Sequence, residues 1–198
     1  IPSYAMRCLG SDADGVADLL DDFVSGMREG GLSVTLKTFP GIGNVSADVP
    51  ESIAENTDSL MTIRDTNFVP YASGIQAGAD CVMVSNAAYS KLTVKKVPAF
   101  MSQDIVTKLL REELGFDGIV MTSPLNDNVI ENNYTNEFAV VEAVKAGCDL
   151  IVLPGNFKEC YEALITAVQE GRIDEKVINT SVRRILQNKI QRGILVLE

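Results

Sequence analysis

Leu109-Leu110-Arg111-Glu112-Glu113-Leu114-Gly115-Phe116-Asp117-Gly118-Ile119-Val120-Met121-Thr122 carries a helix end, a stop and a strand in one run. Ile105, Val106, Leu109 and Leu110 fall on one helical stripe, the spacing of an amphipathic helix with one face on a core. Gly115 ends that helix, and Gly118 opens a strand that is apolar at Ile119, Val120 and Met121. A short strand that is apolar at nearly every position is the mark of a parallel sheet buried on both faces.

The same unit recurs in both directions. Upstream, a helix is expected over residues 12–29, with Val16, Leu19, Leu20, Phe23, Val24 and Met27 on its stripe. Ser11 is its expected cap and Gly30-Gly31 its stop. A strand over 32–39 follows. A shorter helix over 68–76 stops at Gly78 and leads into a strand over 81–85. The helix before Gly115 is expected to start at the cap Ser102. Downstream, a helix capped by Thr135 ends at Gly147, before a fourth apolar strand over 150–153. Two helices over 157–170 and 174–191 close the chain.

Alternating helices and strands imply right-handed βαβ crossovers. The pattern is compatible with an open doubly wound sheet or with part of a (β/α)8 barrel. Four strands are countable, where a barrel has eight and typically about 250 residues. No low-complexity linker or charge run divides the chain, so residues 1–198 read as one domain.

The 198 residues are 46% apolar, enough for a sizeable core. Lys and Arg number 17 against 27 Asp and Glu, a net charge of −10, which opposes nucleic-acid binding. No apolar run is long enough to span a membrane. The start at Ile1 rather than Met suggests a fragment or a processed chain. Cys8, Cys81, Cys148 and Cys160 form no C-x-x-C, and there is no histidine to complete a zinc site. Neither a metal nor a cofactor is expected. Cys81 and Cys148, in or beside apolar runs, are expected as buried thiols.

In parallel α/β folds the working groups sit where strands end. Here those ends are Lys37-Thr38, Ser85-Asn86, Thr122-Ser123-Pro124 and Pro154-Gly155-Asn156. Ser85, Asn86, Thr122 and Ser123 are suited to a polar floor under a small sugar-like ligand. They are equally suited to bonding their own neighbours at a barrel mouth. Lys37 reads as a ligand group or as a solvated charge. Gly41 and Gly43 lack the Lys-Ser/Thr ending of a phosphate-binding loop.

Five segments resemble glycoside hydrolase family 3, and its β-N-acetylglucosaminidase (β-N-acetylhexosaminidase) branch in particular. Leu36-Lys37-Thr38-Phe39-Pro40-Gly41-Ile42-Gly43-Asn44 is similar to the family's Lys-His-Phe-Pro-Gly-His-Gly-Asp, with both histidines replaced. Arg7-Cys8-Leu9-Gly10-Ser11-Asp12 is similar to its Asp-Arg-Ser-Phe-Gly-Ser-Asp. Ala77-Gly78-Ala79-Asp80-Cys81-Val82-Met83-Val84-Ser85 and the Leu-Gly-Phe-Asp-Gly stretch at 114–118 complete the match, with Ser181-Val182-Arg183-Arg184-Ile185-Leu186 at the end. The resemblance implies a TIM-type barrel of which this chain is the C-terminal part, about four strands.

It also implies retaining hydrolysis of terminal β-linked N-acetylglucosamine or glucose, by a carboxylate nucleophile and an acid/base. By the resemblance, the nucleophile's place is held by Ser123 and the acid/base loop positions by Asp48 and Pro50. The substrate-binding positions match Arg7, Lys37, Thr38 and Asn86. A serine without a base is a poor nucleophile, and proline has no side-chain proton to give. The expected function is therefore a family 3 domain with impaired catalysis, a sugar-binding or scaffold pseudoenzyme. The rivals are an active β-glycosidase with relocated groups, such as Asp127, and a purely structural interaction domain. The expected partners are a carbohydrate, and either a missing N-terminal half-barrel or a second copy of the chain. The expected location is the bacterial cytoplasm or cell surface.

Overall fold

The computed structural model describes residues 8–45 and 52–196. Helix α1 (Ala13–Glu29) precedes strand β1 (Thr35–Phe39). A short strand β2 (Glu55–Asn56), helices α2 (Leu60–Asp65) and α3 (Phe68–Gln76), and strand β3 (Cys81–Val84) follow. Then come β4 (Ala88–Tyr89), a single turn over Ala99–Met101, and the wide π-type helix α4 (Asp104–Glu113). Strand β5 (Ile119–Thr122), the short α5 (Asn128–Glu131), α6 (Asn136–Ala146), α7 (Phe157–Gln169) and α8 (Glu175–Gln191) complete the chain.

The main sheet is parallel, in the order β1-β3-β5. Its register aligns Lys37 with Met83 and Met83 with Met121. The sheet's two faces differ. Leu36, Val82 and Val120 point toward the helices and are buried, each contributing roughly 1.5–3 kcal/mol by its burial. On the opposite face Lys37 is exposed and Met83 and Met121 are only half-buried. This is the architecture of a partial TIM-type barrel, with helices packed on one face of the sheet and half-buried side chains on the other.

The stretch that decides the fold is stitched together locally. Gly115 sits at φ 67, which ends the helix in the left-handed region. Gly118 lies so close to β3 that a Cβ there would stand 2.5 Å from the Asp80 carbonyl oxygen. Arg111 reaches over the turn, its Nη1 donating to the carbonyls of Phe116 (3.0 Å) and Gly118 (2.6 Å). Its Nη2 pairs with Asp149 Oδ2 at 2.5 Å. Asp149 also accepts from Val120 N and from Arg184, so one carboxylate joins α4, β5 and α8 at the foot of the sheet.

Asp80 makes a second such junction. Its carboxylate accepts from Val34 N, Arg28, Asn188 and Arg192. Burial alone would raise its pKa. The hydrogen bonds from Arg192 and Val34 and the charges of Arg192 and Arg28 outweigh that and hold it below the usual carboxylate range. A depressed folded-state pKa contributes stability that is present above the unfolded value, about 3.9, and is lost as pH falls through the folded one. Asp80→Asn is therefore expected to lower urea stability at pH 7, with the gap to the wild type closing below about pH 4. Chemical denaturation at a series of pH values checks this.

Several expected elements are corrected. The first strand starts at Thr35 rather than at residue 32, because Leu32 N still closes the helix onto Met27 O and Val34 N is taken by the Asp80 side chain. The fourth strand, over 150–153, forms one regular bridge, Met121 to Leu150. Its ladder departs there because Val152 N bonds the Thr122 hydroxyl rather than a backbone oxygen. Asp12, not Ser11, caps α1, accepting from Gly15 N at 2.8 Å. Ser102 closes the preceding turn rather than capping α4. The small parallel pair β2-β4 and helix α5 carry no signal in the apolar pattern. Cys81, Cys148 and Cys160 are buried thiols, and Cys8 is exposed. No described helix is long and apolar enough to cross a membrane.

Candidate functional site

Strand ends converge at the top of the sheet. Lys37 and Thr38 end β1, Ser85 and Asn86 follow β3, and Ser123 follows β5. Lys37 stands level with Met121, two positions before Ser123 on the same face of the sheet. Four of the expected residues, Lys37, Thr38, Asn86 and Ser123, thus lie at one end. Arg7, Asp48 and Pro50 lie outside the described residues.

The loop after β1 is tied down from two sides. Asn67 Nδ2 donates to Pro40 O, and the Tyr89 hydroxyl donates to Gly41 O, both at 3.0 Å. Burial pushes the Tyr89 phenol pKa up, against the effect of its bond with Ser85, so it is a neutral donor. Phe39, fully buried, stacks on Phe68 and meets Tyr71 edge-on. The peptide bonds Lys37–Thr38 and Phe39–Pro40 are cis. Asn67 and Tyr89 escaped the sequence reading, because each is recognisable only once the loop is seen to lie across it.

The polar floor is engaged with its own backbone. Ser123 is 5% exposed. Its hydroxyl donates to the Val84 carbonyl at 2.9 Å, the same oxygen that accepts from its backbone N–H. Ser85 Oγ accepts from Ala87 N, and Thr122 Oγ1 from Val152 N. At the rim, Asn86 Nδ2 donates to Asp127 Oδ2 at 2.8 Å, while Asp127 Oδ1 caps α5 through Val129 N. Among the described residues no cluster of His, Cys, Asp or Glu could hold a metal ion.

Two hollows stand out among the described residues. One, of about 730 Å³, runs along the free edge of β1, between α1 and α3, and takes in Lys37, Thr38 and Asn67. The other, of about 530 Å³, lies between residues 131–137 and Glu159 and is open and polar. Both fall in the size range of small-molecule sites.

A parallel βα array with its polar residues gathered at the strand ends defines the class: a TIM-type catalytic-domain scaffold, present in part. The chain belongs to the glycosyl hydrolase family 3 N-terminal domain family, whose model matches residues 2–188. It is 32% identical over 189 residues to a beta-hexosaminidase of Stenotrophomonas maltophilia strain K279a, spanning 96% of this chain and 53% of that protein. It is 28% identical to a beta-N-acetylglucosaminidase/beta-glucosidase of Cellulomonas fimi, spanning 98% of this chain and 36% of that one. Among solved structures it is similar to a family 3 beta-N-acetylglucosaminidase from Paenibacillus sp. str. FPU-7. The TM-score there is 0.90 and the identity 32%, over 97% of this chain and 38% of that one. The chain thus spans about a third to a half of the length of these relatives.

Proposed function

We propose that this domain binds a terminal β-linked sugar, N-acetylglucosamine by preference, and does not hydrolyse it at a useful rate. One observation carries the reading. The side chain at the position the family resemblance assigns to the nucleophile, Ser123, is buried and spends its proton on the Val84 carbonyl. An alcohol becomes a nucleophile only when a neighbouring base takes its proton, and a peptide carbonyl is not such a base. The chain has no histidine to serve instead. Asp127, the candidate for a relocated carboxylate, is occupied by Asn86 and by the first turn of α5. Lys37, exposed at the end of β1, is the group we assign to a sugar hydroxyl or ring substituent, with Thr38 and Asn86 beside it.

The test combines two measurements on one preparation. Titration calorimetry with N-acetylglucosamine and with glucose is expected to give weak binding to the former, reduced at least tenfold by Lys37→Ala. A chromogenic N-acetyl-β-glucosaminide is expected to give no turnover above background. Turnover that Asp127→Asn abolishes would overturn the reading in favour of a relocated nucleophile. Absence of binding to both sugars would overturn it in favour of a structural domain.

A further inference from the structure

We infer that Asn67 and Tyr89 are positioning residues: they hold the loop after β1, and through it Lys37 and Thr38, in one place at the candidate sugar site. The part that concerns sugar rests on the reading above. The part that concerns Lys37 stands without it.

The sheet stops dictating the backbone where the ligand groups stand. β1 pairs regularly with β3 as far as Lys37 and Met83, and the register shifts between Lys37 and Phe39. Past a strand end, a loop normally runs over the surface and moves more than the strand. Here every carbonyl from Thr38 to Ile42 is taken. Thr38 O accepts from Gly41 N at 2.8 Å, Phe39 O from Ser85 N at 2.8 Å and Ile42 O from Val45 N at 3.2 Å. Those are backbone bonds. The two carbonyls between them, Pro40 O and Gly41 O, are taken by the Asn67 and Tyr89 side chains, each at 3.0 Å.

Asn67 does this in place of another task. It stands just before α3, and asparagine there ordinarily accepts from the helix's first N–H groups. Side chains cap α1, α2, α6, α7 and α8 in that way. Asn67 makes no such bond; its amide is turned to the loop instead.

Tyr89 is 0% exposed, so no ligand touches it. Its hydroxyl ends a relay. Ala87 N donates to Ser85 Oγ at 3.0 Å, Ser85 bonds the Tyr89 phenol, and Tyr89 donates to Gly41 O. A carbonyl only accepts, so the phenol proton is committed to Gly41 and the Ser85 proton to the phenol oxygen. Bonds in such a chain polarise one another. Because Ser85 follows β3, the relay ties the ends of β1 and β3 on the two sides of the mouth. Lysine has a long, rotatable stem. Fixing the backbone beneath Lys37 lowers the ordering that binding must supply.

The test compares the wild type with Tyr89→Phe, which removes only the hydroxyl, with Asn67→Ala, and with the double variant. Amide order parameters over residues 38–42 are expected to fall from about 0.85 toward about 0.6 in the double variant, with β3 and β5 unchanged. Lysines methylated with 13C-formaldehyde each give a methyl signal, and Lys37→Arg identifies that of Lys37. That signal is expected to move in both single variants while the other lysines keep theirs. A merely structural role would lower the urea midpoint and leave the loop's order parameters and the Lys37 signal as they are; that result overturns the inference. Calorimetry with N-acetylglucosamine is expected to show binding weakened about two- to tenfold by Tyr89→Phe, the scale of ordering one side chain on binding. Unaltered affinity in a variant with a loosened loop overturns the link to the sugar site. If the wild type binds neither N-acetylglucosamine nor glucose, the proposed function falls, and the order parameters and the Lys37 signal alone decide this inference.

Discussion

Asp149→Ala is expected to destabilise the domain by about 3–5 kcal/mol, the range for removing one partner of a buried ion pair. The Asp149 side chain is 0% exposed and its partner Arg111 only 10%. Taking away the carboxylate leaves a guanidinium at the foot of the sheet, still bonded to the carbonyls of Phe116 and Gly118 but without its counter-charge. It also strips Val120 N of its side-chain acceptor and frees Arg184 from the sheet. Domains of this kind are stable by about 5–15 kcal/mol in all, so the loss takes a large share. Urea denaturation is expected to show a lower midpoint with an unchanged slope. The control is the double change Arg111→Met with Asp149→Leu, which removes both charges. It is expected to cost less than Asp149→Ala alone, because an orphaned charge costs more than a missing pair. If the single variant proved as stable as the wild type, the junction would be ornamental.

The same junction explains what was legible in the sequence and what was not. The helix ranges, the glycine stops and the apolar strands β3 and β5 are local signals that appear near where the pattern places them, although Leu19 and Phe23 of the α1 stripe stay exposed and no residue of α8 is buried. Helix α3 coincides with its expected range, 68–76. The failures lie where a side chain from far along the chain takes over a backbone group. Asp80 claims Val34 N across 46 residues and shortens β1. Thr122 claims Val152 N across 30 and breaks the fourth ladder after one bridge. No window of apolar periodicity contains both partners of such a bond. The site was legible in the same partial way. Position at a strand end is readable in sequence, so Lys37, Thr38, Asn86 and Ser123 were found together. What each hydroxyl bonds to is not. Ser85, Thr122 and Ser123 read equally well as a ligand floor and as groups satisfied by their neighbours; in the structure each bonds a neighbouring backbone group.

The second large expectation concerns turnover, and it follows from that bond. On a chromogenic N-acetyl-β-glucosaminide, kcat/KM is expected to lie at least about three orders of magnitude below that of an intact family member. Deleting a single member of a catalytic unit costs about 10⁴ to 10⁶ in kcat in the best-studied hydrolase, subtilisin. By the family resemblance, the nucleophile's position falls on Ser123, an alcohol, and the acid/base position of the loop on Pro50. Ser123→Ala is expected to leave any residual rate unchanged, because the Ser123 proton is already given to Val84 O. Ser123→Asp is the sharper probe. It supplies a carboxylate where the family resemblance places one, while by the same resemblance Pro50 stands where the proton donor to the leaving oxygen would be. With an ordinary alkyl glycoside, whose leaving group needs that proton, it is expected to restore nothing. With a dinitrophenyl glycoside, whose leaving group departs unprotonated, a glycosyl-enzyme is expected to form and a burst of one dinitrophenolate per site to appear. Steady turnover is expected to stay slow, since the water step also lacks its base. A burst from Ser123→Asp but not from the wild type would place the lost nucleophile at this position. Full activity in the wild type, unaffected by Ser123→Ala, would instead require a nucleophile elsewhere. Asp127, at the rim beside Asn86, would then be the first carboxylate to replace.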